Sequence, residues 1–116
     1  MKVLTSVLLL GALIQASLAE TASSKRVVCY QGTWSVYRPA NGTYGVADID
    51  PSLCTHLIYS FIGLYANGSI RLLDPFLDID RKNFEQFVAL SEENPNLKVM
   101  VAIGGWNEGS TNIQSW

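Results

Sequence analysis

Large aromatic side chains recur in this sequence where strand-like runs give way to loops. Tyr30 closes a β-rich run that begins at Arg26, and Trp34 follows in a stretch rich in glycine, asparagine and aromatics. Phe61 falls late in a second apolar run, and Trp106 stands directly after Gly104 and Gly105 with Asn107 beside it. An aromatic face offers the C–H surface of a sugar ring a flat apolar platform, and a neighbouring amide can bond its hydroxyl or N-acetyl groups. The combination points to a carbohydrate groove. The competing reading places these rings in a packed core. Phe61 alone fits that reading as readily, whereas Trp34 and Trp106, beside glycines in predicted loops, fit it poorly.

The ionisable residues add little. Asp74-Pro75-Phe76-Leu77-Asp78-Ile79-Asp80 is acidic but reads as a solvated loop and helix cap. Glu108 lies near Trp106, yet one carboxylate without a partner to tune it is a weak candidate for a general acid. His56 opens an apolar strand and reads as a hydrogen-bonded core residue rather than a base. No His/Cys cluster has zinc spacing, so neither a metal nor another cofactor is implied. The net charge of −2 and the absence of any long basic run argue against nucleic acid as a partner.

The elements that must position the aromatics follow from apolar patterning. His56 to Leu64 and Leu97 to Ile103 are nearly continuous apolar runs, as expected of strands covered on both faces. Asn67-Gly68 is a turn signal, after which Ile70 to Leu73 reads as a short hairpin strand. Phe84, Phe87, Val88 and Leu90 recur at helical spacing, Asp80 is the expected N-cap, and Pro95 forces a stop just beyond Asn94. Asp50 to Leu53 reads as a short helix with Asp50 as cap and Pro51 in its first position. Ser110 is placed to cap a further helix. Buried strands alternating with helices argue for a parallel α/β sheet. A barrel is favoured over a doubly wound sheet, because Trp106 puts an indole where a phosphate loop needs bare backbone.

The first residues read as a secretory leader. Lys2 supplies the positive end, Val3 to Ile14 is mostly apolar but too short to span a membrane, and Ser17 and Ala19 suit cleavage before Glu20. Residues 1–19 are thus expected to be removed and residues 20–116 to form the domain, with no membrane partner after cleavage. In that extracellular context Cys29 and Cys54 read as a disulfide rather than two buried thiols. Asn41-Gly42-Thr43 and Asn67-Gly68-Ser69 are glycosylation sequons.

Several separate motifs then occur in order. Cys29-Tyr30 is followed by Trp34-Ser35-Val36-Tyr37-Arg38-Pro39, then by Ile49-Asp50-Pro51-Ser52-Leu53-Cys54-Thr55-His56-Leu57-Ile58-Tyr59-Ser60-Phe61. Asn94-Pro95-Asn96-Leu97-Lys98 then leads into Ile103-Gly104-Gly105-Trp106-Asn107. From Val27 onward this resembles the opening of animal chitinases and chitinase-like proteins of glycoside hydrolase family 18, the insect type above all. The resemblance implies the N-terminal part of a (β/α)8 TIM barrel, about three of its eight strands, that binds chitin or N-acetylglucosamine oligomers. It implies that Tyr30, Trp34, Phe61 and Trp106 line the sugar cleft, that Gly104, Gly105 and Asn107 contact substrate, and that Cys29 pairs with Cys54. Asp74 to Phe76 is a further candidate without a secure place in the family pattern. In the family, a Glu ending an Asp-x-x-Asp-x-Asp-x-Glu run protonates the glycosidic oxygen while the substrate's own acetamido oxygen attacks, with retention. That run is absent from these residues, so the segment alone is expected to be inactive. The alternative is a chitinase-like lectin or growth factor that binds sugar without hydrolysis.

Overall fold

A computed structural model of the chain describes residues 25–110. The leader and the helix expected after Ser110 lie outside the described residues. The described part contains strands β1 (Val28–Gly32), β2 (His56–Leu64), β3 (Ile70–Leu72) and β4 (Lys98–Ile103), and helix α1 (Asn83–Glu93) between β3 and β4. β2 is central. It pairs in parallel with β1 and with β4, and antiparallel with β3 near its C-terminal end. The pairing of β2 with β4 slips between Ser60 and Ile62, where the Ser60–Phe61 peptide is cis.

The registers Cys29↔Leu57 and Leu57↔Val99 put these side chains on one face of the sheet. That face packs under α1: Leu57 and Tyr59 meet Phe87, Leu90 and Leu97 in the core, with Cys29, Phe84 and Val99 against its margin. Phe87 and Tyr59 are in edge contact with ring centroids 5.1 Å apart, a favoured aromatic geometry. The other face carries Tyr30, Ile58 and Met100 in register, with Tyr30 and Met100 exposed. The expected disulfide is present: Cys29 at the start of β1 bonds Cys54, just before β2, with Cα atoms 6.1 Å apart.

Three local expectations are corrected. Asp50 does not cap a helix. Its carboxylate accepts the Ser52 amide at 2.9 Å and the Ser52 hydroxyl at 2.6 Å, closing a tight turn that ends at the disulfide. Asp80 does not cap α1 either. Phe76–Asp80 forms a π-helical turn of its own, started by Asp74 accepting the Leu77 amide, and Lys82, in the left-handed region at φ 58°, separates it from α1. Asp78 is not solvated: it is buried and accepts the Tyr59 hydroxyl, which also receives the Asn83 amide at 2.8 Å. The long loop after β1 holds short 3-10 turns at Thr33–Tyr37, Ala40–Gly42 and Val46–Asp48, and Gln31 and Gly32 belong to the strand. α1 ends before Asn94 as expected, and the Asn94 amide group donates to the Pro51 carbonyl at 2.9 Å.

Candidate functional site

A cavity of about 460 Å³ opens where the parallel strands reach their C-terminal ends. Its first wall is built by the turn after β1. Trp34 stands there, and its ring stacks on Phe61 of β2 with centroids 6.0 Å apart and planes 10° from parallel. Gly32 makes this stack possible, because a Cβ there would lie 2.7 Å from Trp34 Cζ2. Thr33 anchors the same turn by donating its hydroxyl to the Ser60 carbonyl at 3.0 Å.

The opposite wall is the loop after β4. The Gly104 amide donates to the Ile62 carbonyl at 3.0 Å, which turns the chain away from the sheet. Gly105 has φ 92°, and a Cβ there would come within 2.9 Å of Phe61 Cδ2, so both conformation and space require glycine. Trp106 then projects outward with 98% of its surface exposed, and Asn107 lines the cavity beside it. Among the described residues this exposed indole on a tight glycine turn packs into no core.

The third side comes from the segment after β3. Leu73 and Asp74 line the cavity, and Tyr37 donates its hydroxyl to Asp74 Oδ2 at 2.6 Å. Holding its proton for that carboxylate pushes the Tyr37 phenol above its ordinary pKa. Of the expected site residues, Trp34, Phe61, Gly104, Gly105, Trp106 and Asn107 converge on this one cavity. Tyr30 does not. It lines an adjoining hollow that shares Trp34 and Phe61 as a common wall. Thr33 and Leu73 carry no signal in the sequence, Tyr37 lies within the family-like motif but is not marked there as a site residue, and Asp74 belongs to the segment expected as a further candidate without a secure place in the family pattern.

The remaining polar candidates face elsewhere. The Glu108 side chain is wholly buried, accepts the Leu64 amide at 2.8 Å and pairs with Arg71. His56 Nδ1 lies 2.8 Å from the Thr55 hydroxyl, at the far end of β2 from the cavity. Among the described residues no cluster of His, Cys, Asp or Glu could hold a metal ion. The cavity therefore offers stacked aromatic faces, one amide, hydroxyls and a single carboxylate. That set has the chemistry to hold a polyhydroxylated ring; among the described residues it does not provide paired acids.

Residues 26–115 match the model of the glycosyl hydrolases family 18. The chain belongs to this family. It is 46% identical to the endochitinase of Manduca sexta over 88% of its own length and 19% of that protein's. The crystal structure of the Ostrinia furnacalis Group IV chitinase superposes with a TM-score of 0.73 at 54% identity, covering 77% of this chain and 24% of that one. Human YKL-39, called a pseudo-chitinase with retained chitooligosaccharide binding, superposes with a TM-score of 0.66 at 33% identity, over 78% of this chain and 24% of that one. This family 18 chain thus spans about a fifth to a quarter of the relatives it matches. Its parallel strands β1, β2 and β4 are an N-terminal part of the barrel, and the cavity lies on the face where barrel active sites sit.

Proposed function

We propose that this segment builds part of the chitin-binding cleft of a secreted family 18 glycosidase. The observation that carries the reading is the convergence of Trp34, Phe61 and the Gly104–Asn107 loop on one cavity at the strand ends. In this reading Phe61 and Trp34 form a stacked floor, Trp106 supplies a projecting platform for one sugar ring, and Asn107 bonds a hydroxyl or acetamido group. Gly104 and Gly105 let backbone approach the sugar, and Tyr30 extends the surface into the adjoining hollow. A solved structure of the Ostrinia furnacalis Group IV chitinase holds allosamidin, which supports a sugar-like ligand for this fold. Residues 20–116 are the domain segment and residues 1–19 the leader. The disulfide agrees with an extracellular destination. Asn41 and Asn67 stand exposed on turns and are the proposed glycan acceptors.

The proton donor of the family reaction is outside this cleft segment, since no Asp-x-x-Asp-x-Asp-x-Glu run occurs in the sequence. The segment binds and orients sugar; the glycosidic bond is protonated by a group supplied elsewhere. Sugar binding without hydrolysis is the second reading, favoured by the pseudo-chitinase YKL-39 sharing this architecture at 33% identity. One experiment separates them. The full-length protein is titrated with N-acetylglucosamine tetramer and with cellotetraose, and reducing-end release is followed. Binding of the acetylated oligomer alone supports the cleft, and release of reducing ends assigns the enzyme. Equal or absent binding of both oligomers would overturn the reading.

A further inference from the structure

We propose that Glu108 is a positioning residue for the sugar platform, acting with Arg71 to hold the Trp106 loop and the opposite rim of the cleft in one arrangement. The proposal rests on the cleft reading above. Glu108 follows Trp106 by two residues, and its side chain is wholly buried. Its carboxylate accepts the Leu64 amide at 2.8 Å and pairs with the Arg71 guanidinium, while its own amide donates to the Gly105 carbonyl at 3.2 Å. The start of the loop is held separately, by the Gly104 amide on the Ile62 carbonyl at 3.0 Å.

Between and beside these two anchors the backbone has little stiffness of its own. Gly104, Gly105 and Gly109 have φ of 117°, 92° and 63°, values that glycine adopts freely and leaves as freely. Among the described residues little packs against the indole, because Trp106 is almost wholly exposed. Within this segment the order of the platform falls to the anchors at its two ends.

The partner residue explains why the second anchor is ionic. Arg71 lies on β3, on the strand that leads into Leu73 and Asp74 on the other rim, and Asp74 in turn holds Tyr37. The Glu108–Arg71 pair thus joins the loop after β4 to the segment after β3 across the end of β2. Gly63 leaves room for it: a Cβ there would collide with the Glu108 carboxylate and lie 3.1 Å from Arg71 Nη2. The Glu108 carboxylate is buried while the Arg71 guanidinium keeps 34% of its side-chain surface exposed, so the pair adds little net stability against an apolar substitute, but it specifies one geometry, because the buried carboxylate cannot leave its partner without a desolvation cost.

The test is a double-mutant cycle in the full-length protein, with affinity for N-acetylglucosamine tetramer measured by calorimetry at 4 °C and melting temperature measured in parallel. Glu108→Gln and Trp106→Ala should each weaken binding, the former by about tenfold, the scale of one good interaction. The double variant should bind no worse than Trp106→Ala alone, because Glu108 acts through Trp106. Arg71→Lys, which keeps the charge, should bind closer to wild type than Arg71→Gln. Unchanged affinity in Glu108→Gln, or losses that simply add in the double variant, would overturn the positioning role. Should Glu108→Gln fail to fold, Arg71→Gln combined with Trp106→Ala decides by the same criterion. If Trp106→Ala itself binds normally, the cleft reading fails, a result distinct from failure of the anchor.

Discussion

Removing the hydroxyl of Tyr59 should destabilise the protein in a strongly pH-dependent way. Tyr59 is 1% exposed, and its hydroxyl donates to Asp78 while receiving the Asn83 amide at 2.8 Å. Tyr59→Phe keeps the ring against Phe84 and Phe87 and so leaves apolar packing nearly intact. It strips a donor from a buried carboxylate and an acceptor from a buried amide. Each unsatisfied buried group costs about 1–3 kcal/mol, so a loss of about 3 kcal/mol is expected once some relaxation is allowed. Burial pushes the Asp78 carboxyl above the usual aspartate range, while the Tyr59 hydrogen bond pulls it back down. The folded state therefore holds the proton more tightly than the unfolded state. Its contribution is favourable in acid and is lost as pH rises through the folded value. Without the Tyr59 hydroxyl the folded value moves higher, so the deficit of Tyr59→Phe should be larger at pH 7 than at pH 4.5. Urea unfolding of the full-length protein at both pH values measures it, with Asp78→Asn as control. In the Asp78→Asn background the pH dependence of the Tyr59→Phe deficit should vanish. A deficit independent of pH in the presence of Asp78 would refute the reasoning.

Further outcomes follow from the same structure. Replacing Cys29 and Cys54 together by serine should cost about 3.5 kcal/mol on the loop-entropy model, read by urea unfolding, and unreduced peptide mass spectrometry should show the linked pair. Gly105→Ala should weaken oligosaccharide binding, because the new Cβ would press on Phe61 at a φ of 92°; calorimetry with the N-acetylglucosamine tetramer reads the loss. Secreted protein treated with an N-glycosidase should lose mass at Asn41 and Asn67, which peptide mapping would locate as newly formed aspartates.

The central strand was readable from composition because β2 is covered on both faces over most of its length, leaving a nearly continuous apolar run from Leu57 to Leu64, broken at Ser60. The C-terminal stop of α1 was readable because Pro95 constrains the residue before it. The helix start was not. Asp80 has the chemistry of a cap, but Asp74 already begins a separate turn, and nothing in the local sequence announces the left-handed Lys82. Asp78 misled for a related reason: an aspartate in an acidic run looks solvated, and its partner Tyr59 lies 19 residues away in sequence. The aromatic part of the candidate site was visible because Trp34 and Trp106 follow strand ends and Phe61 lies late in β2. The Tyr37–Asp74 contact, which spans 37 residues, and the Arg71–Glu108 pair, which spans as many, arise only when the sheet brings the loops together.

The proposed role of the exposed Trp106 indole, in sugar binding rather than folding, is checked by titrating N-acetylglucosamine tetramer into the full-length protein and its Trp106→Ala variant, with the melting temperature of each recorded in the same buffer. Covering one large aromatic surface is worth about 1–3 kcal/mol, so affinity should fall by roughly five- to 150-fold while the melting temperature stays put. Unchanged affinity accompanied by a large drop in melting temperature would contradict the account.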